Sequence, residues 1–342
     1  MRNDKLLKQF EYPLPLERIA LKPAKPRDAA RLLVYDRRRR AVAYDVFANL
    51  NEYLPKNSVL VLNDTKVVPA RLIVKLGREA VELFYVGKSG RYLRCMANRS
   101  MEKGTVLKLG AMRFKIMGRE ERWYLVRPSF GVNKIFSILD RYGRTPLPPY
   151  LEGSPLTEKK RREEYQTVFA AERGSVAAPT ASLHFTDRLF KKIEKQGVKI
   201  VRVTLHVNLG TFAPLSDEHI ESGQLHAEEY EVSKEAAKVL NAAKKEGRKI
   251  VAVGTTACRA LESAAAKNGR LRAGSGVTRI FIREPYRFKF VDSLITNFHV
   301  PRSSLLMLVA ALVGRKKLLE LYSLSLESKM RFLSFGDGML IL

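Results

Sequence analysis

Residues 175–212, SVAAPTASLHFTDRLFKKIEKQGVKIVRVTLHVNLGTF, carry the densest potential chemistry in the chain. In VAAPTASLHF a proline, small side chains and His184 stand where a core segment would carry bulk, a pattern that keeps backbone open for a ligand. At the far end His206, Asn208, Gly210 and Thr211 follow directly on an apolar run. Histidine titrates near neutral pH and suits proton transfer, while glycine permits close backbone approach. Polar groups also end three other apolar runs: Asn63 after SVLVL, Gly254, Thr255 and Thr256 after KIVAV, and Asn297 and His299 after DSLIT. A Gly-Thr-Thr helix start suits a carboxylate or phosphate, although many such turns only cap their helix.

These groups need elements to hold them. TDRLFKKIEKQG reads as a helix, with Thr186 as N-cap, Leu189, Phe190 and Ile193 on its apolar face and Gly197 past its end. VKIVRVTL is a β-branched run with the pattern of a buried strand. Strand-helix alternation then repeats: SKEAAKVLNAAKKEG is a helix between Ser233 and Gly247, KIVAVGTTACRALESAA is strand, turn and helix, and a helix capped near Ser303 follows DSLIT. In parallel α/β architectures the carboxyl ends of the strands form the ligand crevice, so the four polar strand ends predict one shared pocket. His206, His184 and His299 are its acid–base candidates, His206 foremost. Thr180, Ala181, Gly210, Thr211, Gly254, Thr255, Thr256, Asn297 and Asn63 are its candidate walls. Glu228 beside His226 is a further carboxylate candidate, and Asp64 and Arg71 read as structural.

The remaining chain supplies a second module. RLLVYDRRRRAVAYDVF reads as a hairpin whose turn holds Arg37 to Arg40, which either grips phosphates or is a solvated loop. Over 70–130, short β-rich runs separated by Gly, Lys and Arg turns indicate a small antiparallel barrel or sandwich. The proline-rich stretch 145–156 marks where the chain leaves it. The expected organisation is a discontinuous α/β domain, 1–65 plus 150–342, with a β-barrel domain inserted at 66–149.

Lysine and arginine number 62 against 35 acidic residues, a formal charge of +27 that no long basic tail carries. A docking surface for a polyanion, nucleic acid above all, is the expectation. No apolar run reaches the roughly 20 residues a bilayer requires, and no signal peptide is apparent, so a cytoplasmic protein without a membrane partner is expected. Cys95 and Cys258 read as buried free thiols. There is no GxGxxG, Walker lysine loop or GxSxG elbow, and five dispersed histidines give no metal-ligand spacing, so no metal is expected.

VAAPTASLHF, together with VLNDTKVVPARL, LPPYL, YQTVFA, VTLHVNLGTF, LHAEEY, VGTTACRALES, ITNFHVPRSSLLMLV and FGDGMLI, resembles the S-adenosylmethionine:tRNA ribosyltransferase-isomerase family of queuosine biosynthesis. The likeness runs in order from about residue 10 to the C-terminus. It implies a barrel-like α/β main domain with an inserted small antiparallel β-barrel. It implies an enzyme that uses S-adenosylmethionine as ribosyl donor and co-substrate. Ribose is transferred and isomerised onto 7-aminomethyl-7-deazaguanine at the wobble position of a tRNA with a GUN anticodon, giving epoxyqueuosine, adenine and methionine. The chain departs from the family pattern at Ser182, where glycine is usual, at Asn208 and Leu209, where Gly-Ala is usual, and at Glu284-Pro285, where Pro-Gly is usual; added side chains beside a ligand would narrow the pocket. The rival readings are a basic tRNA-binding protein with an inactive pocket and an ordinary tRNA methyltransferase. Oligomeric state is not legible.

Overall fold

The computed structural model describes residues 2–120, 123–208 and 215–342. Seventeen strands occur among these residues, in three groups. In chain order they are β1 (Arg31–Asp36), β2 (Ala41–Val46), β3 (Val59–Asn63), β4 (Thr65–Val67), β5 (Arg71–Leu76), β6 (Glu79–Ser89), β7 (Tyr92–Ala97), β8 (Val106–Leu109), β9 (Met112–Glu120) and β10 (Trp123–Pro128). There follow β11 (Glu172–Ser175), β12 (Lys199–Leu205), β13 (Gln224–Val232), β14 (Ile250–Val253), β15 (Gly274–Ile280), β16 (Ser293–Asn297) and β17 (Gly338–Ile341).

Nine strands form the main sheet, in the order β15-β13-β12-β3-β14-β16-β17-β1-β2. Its centre, β12-β3-β14-β16, is parallel throughout. Every residue of β3, β14 and β16 is buried, as expected of parallel strands covered on both faces. Leu33, Val59, Val61, Ile250, Ala252 and Leu294 pack on one side with the helices Lys234–Lys245 and Gly254–Ala264, whereas Leu60, Leu62, Val251, Val253 and Ile295 pack with Phe185, Leu189 and Ile193 of the other side. The alternation of successive side chains across a strand produces this two-sided core. Because the four central strands run the same way, Asn63, His206, Gly254 and Asn297 reach one edge of the sheet.

The second group is a closed antiparallel barrel, β10-β7-β6-β5-β8-β9, with Leu72, Val74, Val81, Leu93, Phe114 and Val126 inside. Closure leaves no unpaired edge. The expected mixed α/β architecture with a small antiparallel β-barrel is therefore present. β4 and β11, where the chain departs toward the barrel and returns from it, pair in parallel as the third group.

The hairpin β1-β2 forms as its alternation indicates. Its turn divides by role: Arg37 donates to the carbonyl oxygens of Leu342, Leu312 and Asp292, so it fastens the C-terminal strand, while Arg38 to Arg40 are exposed or nearly so. Strands β13 and β15 lie outside the sequence-based expectation, because β13 interleaves Glu228, Glu229 and Glu231 with its apolar positions. No helix among the described residues is long and apolar enough to cross a membrane.

Candidate active site

The strand ends open on more than one cavity, and two of these bring most of the candidate residues together. The first, of about 580 Å³, is lined by Ala177 to Ala181, Gly254 to Thr256, Thr296 to Leu305, and by Tyr150, Val207, Leu333 and Ser334 among others. That volume lies within the range of small-ligand sites, and the lining is mainly apolar with a few convergent polar groups. A short 3₁₀ turn, Thr180–His184, forms one wall. Thr180 donates its hydroxyl to Asn297 Oδ1 at 2.8 Å, and Asn297 Nδ2 lies 3.3 Å from His184 Nε2. An amide nitrogen only donates, so His184 Nε2 accepts and the proton of the neutral ring sits on Nδ1. Burial pushes His184 down to about 3, with the Arg331 and Arg27 charges adding to the effect. Its ring packs on Phe47, with centroids 4.6 Å apart. His184 thus stands behind Asn297 and holds its amide in place; it does not line the cavity.

His299 does line it. Its Nε2 is 2.8 Å from the Thr296 hydroxyl, its backbone N–H donates to Tyr322 Oη at 2.9 Å, and its carbonyl accepts from Tyr12. Burial pushes this ring down to about 3 as well, so both histidines are neutral at physiological pH and act through hydrogen bonds. Gly254, Thr255 and Thr256 form the start of the helix Gly254–Ala264, on the same cavity.

His206 faces elsewhere. The second cavity, of about 450 Å³, lies between the barrel and the main sheet. The barrel contributes Tyr85, Lys88, Arg94 and Trp123; the sheet side contributes Arg173, His206, Asn208, His226, Glu229 and Arg279. Successive side chains of an extended segment point to opposite sides, so Val207 faces the first cavity while His206 and Asn208 face the second. His206 Nδ1 is 2.7 Å from the Thr65 hydroxyl, which donates toward the Glu172 carbonyl at 3.5 Å. A hydroxyl that gives its hydrogen to the carbonyl accepts from Nδ1–H, leaving Nε2 as a bare acceptor. Burial lowers the His206 pKa, against the opposing pull of Glu229, Glu172 and Asp64. Gly174 of β11 makes room for the ring, since a Cβ there would stand 3.0 Å from it. Phe136, also on this wall, lies beneath two cations, Lys88 Nζ at 5.0 Å and Arg173 at 4.9 Å from its centroid.

The other expected residues separate clearly. Thr180, Ala181, Gly254, Thr255, Thr256, Asn297 and His299 come together on the first cavity. Asn63 is fully buried and ties β3 to β12, donating to Leu205 O and accepting from Leu205 N and Thr65 N at 3.0 to 3.2 Å. Gly210, Thr211 and Leu209 lie outside the described residues. Glu228 pairs with Arg259, both nearly fully buried. Asp64 accepts from Thr204, and Arg71 pairs with Glu82 inside the barrel module. Of the departures from the family pattern, Ser182 is buried and lines neither cavity, Asn208 donates to Ala227 O, and Glu284 accepts from Arg315 N. The barrel residues of the second cavity carry no local sequence signal, because lysine or arginine recurs together with an aromatic residue on β6, β7, β9 and β10 alike.

A family model described as queuosine biosynthesis protein matches residues 7–341. An S-adenosylmethionine:tRNA ribosyltransferase-isomerase from Moorella thermoacetica is 44% identical over 98% of this chain and 99% of that protein. The protein of the same name from Desulfitobacterium hafniense is 43% identical with the same coverage. Among solved structures, the S-adenosylmethionine tRNA ribosyltransferase of Thermotoga maritima is 32% identical, covers 98% of this chain and 100% of its own, and superposes with a TM-score of 0.56.

Proposed function

The chain belongs to the queuosine biosynthesis protein family, and from that premise we propose that it is an S-adenosylmethionine:tRNA ribosyltransferase-isomerase. Its substrate is a tRNA with a GUN anticodon carrying 7-aminomethyl-7-deazaguanine, and its products are epoxyqueuosine, adenine and methionine. Near-full-length identity to proteins of that name carries the assignment. The geometry supports a division of labour: the first cavity, with Thr180, Ala181, Gly254, Thr255, Thr256, Asn297 and His299, receives S-adenosylmethionine as ribosyl donor. The second, with its cations and aromatic rings, admits the unstacked base and its flanking phosphates.

The chemistry assigns tasks to this frame. The sulfonium acidifies the neighbouring ribose C5′ protons, which lets a base start the rearrangement. When the aminomethyl nitrogen bonds to the ribosyl carbon it must release a proton, and His206 Nε2, on the cavity given to the tRNA base, is the acceptor in this reading. Adenine leaves with the electrons of its glycosidic bond and methionine with those of the bond between sulfur and ribose C5′, and the neutral His299 and Asn297 offer hydrogen bonds to the adenine nitrogens. Gly210 and Thr211 remain proposed wall residues on the strength of the family motif.

Incubating the protein with S-adenosylmethionine and tRNA bearing the aminomethyl base tests this directly. Adenine and methionine should appear in step with epoxyqueuosine. Formation of S-adenosylhomocysteine would indicate methyl transfer instead, and tight tRNA binding without turnover would indicate an inactive pocket.

A further inference from the structure

Two helices present their N-termini to the first cavity, and they differ in one respect. The helix Ser304–Val313 is closed by its own N-cap: Ser303 Oγ accepts from Leu306 N at 3.2 Å and donates to Val300 O at 2.8 Å. The helix Gly254–Ala264 has Val253 in the cap position, which has no side-chain oxygen and makes no capping bond. Its first-turn N–H groups have no partner within the helix and carry the positive end of its dipole. Beside them Thr256, only 8% exposed, has a hydroxyl without any hydrogen-bond partner, on the cavity lining. A buried hydroxyl left unpaired is costly, so this one is available to a ligand atom in the cavity.

The surroundings specify an anion. The lining includes no Asp or Glu among the described residues, and both neighbouring histidines are neutral. Arg302, at the rim, pairs with Asp4 and Glu11 and is not aimed inward as a counter-charge. The Thr180 hydroxyl is committed to Asn297. The uncapped helix start, with the unpaired Thr256 hydroxyl, is the part of this lining suited to a negative group. Gly254 opens that start with a φ of +84°, a backbone conformation that disfavours any side chain.

We propose that the N-terminus of the helix Gly254–Ala264, with the Thr256 hydroxyl, holds the carboxylate of the methionine part of S-adenosylmethionine. The inference rests on the placement of S-adenosylmethionine in the first cavity. It orients the donor, with its amino-acid end at Gly254-Thr255-Thr256 and its adenosyl end toward the apolar wall of Tyr150, Phe298, Leu305 and Leu333.

Calorimetric titration with S-adenosylmethionine and with its decarboxylated analogue separates the possibilities, because the two share sulfonium and adenosine and differ in the carboxylate. The wild-type protein should bind S-adenosylmethionine about tenfold or more tightly than the analogue, as expected for a charge-assisted hydrogen bond. The near-isosteric Thr256→Val should lose that preference and leave analogue affinity unchanged. L-methionine should compete with S-adenosylmethionine in the wild type and not in Thr256→Val. Equal wild-type affinities, equal weakening of both ligands by Thr256→Val, or competition by inorganic phosphate but not methionine would overturn the proposal. Leu305→Trp, at the other end of the cavity, is the separate check on the premise: it should weaken both ligands alike. If it leaves both untouched, S-adenosylmethionine binds outside this cavity and the proposal falls with its premise.

Discussion

His206 shows how one side chain's role depends on what its neighbours do with their protons. The Glu172 carbonyl, the Thr65 hydroxyl and His206 Nδ1 form a chain that leaves Nε2 free to accept. Replacing His206 with Ala should lower turnover by about 10²-fold or more, with fold and tRNA affinity nearly unchanged, in a single-turnover assay of epoxyqueuosine formation. Near-wild-type turnover would remove it from the reaction. Because burial lowers its pKa, the base stays deprotonated to more acidic pH than a free histidine. The acid limb of kcat/KM should accordingly lie below pH 6.5. The two neutral histidines behind and within the first cavity make a different contribution. His184 and His299 have folded pKa values near 3 against about 6.5 unfolded, so the unfolded chain binds more protons between these limits. The stability they contribute is complete above pH 6.5 and is lost as pH falls toward 3, by about 1.4 kcal/mol per pH unit for each ring. Urea midpoints measured from pH 7.5 to 5 should fall accordingly, and His299→Gln should flatten the slope; an unchanged slope would mean that His299 is not held neutral.

At the scale of elements, two strand ends and a neighbouring strand set the site. Asn63 replaces ladder bonds where β3 and β12 stop pairing, by satisfying both backbone groups of Leu205 and the N–H of Thr65. Asn63→Ala would strand these buried groups and should cost roughly 2–5 kcal/mol, read from chemical denaturation. A loss below about 0.5 kcal/mol would show that water replaces the amide. Gly174 acts through space, because β11 brings it against the His206 ring. Gly174→Ala should displace that ring and reduce turnover while S-adenosylmethionine affinity stays as it is. A parallel loss of both would indicate that β11 as a whole has moved.

For the molecule as a whole, a charge of +27 spread over two modules sets the terms of RNA binding. The second cavity lies where barrel and sheet meet, and both supply cations to it. Neutralising even about three phosphates gives a slope near −2.7 in log affinity against log salt, or more than about tenfold between roughly 50 and 200 mM. Fluorescence titration of tRNA across that range should show the decline, and a flat dependence would refute a phosphate-dominated interface. Lys88→Ala and Arg94→Ala, on the barrel, should each reduce the slope by about one if they contact phosphates.

The sequence by itself determined the elements and the residue types at their ends. Continuous apolar runs identified the buried central strands, and capping residues such as Thr186, Ser233 and Ser303 identified helix starts, because both are local effects of backbone and burial. It also placed Asn63, His206, Gly254 and Asn297 at one sheet edge, since parallel strands must end together. Tertiary structure decided what shares a cavity. An alternation of one residue sends Val207 and His206 to opposite sides, and the inserted barrel, whose contacting residues lie about a hundred positions earlier in the chain, encloses the side that His206 faces. Burial, likewise a property of the assembled fold, made His184 and His299 neutral hydrogen-bonding groups and paired Glu228 with Arg259, because whether a charge is solvated or matched depends on partners that sequence spacing does not specify.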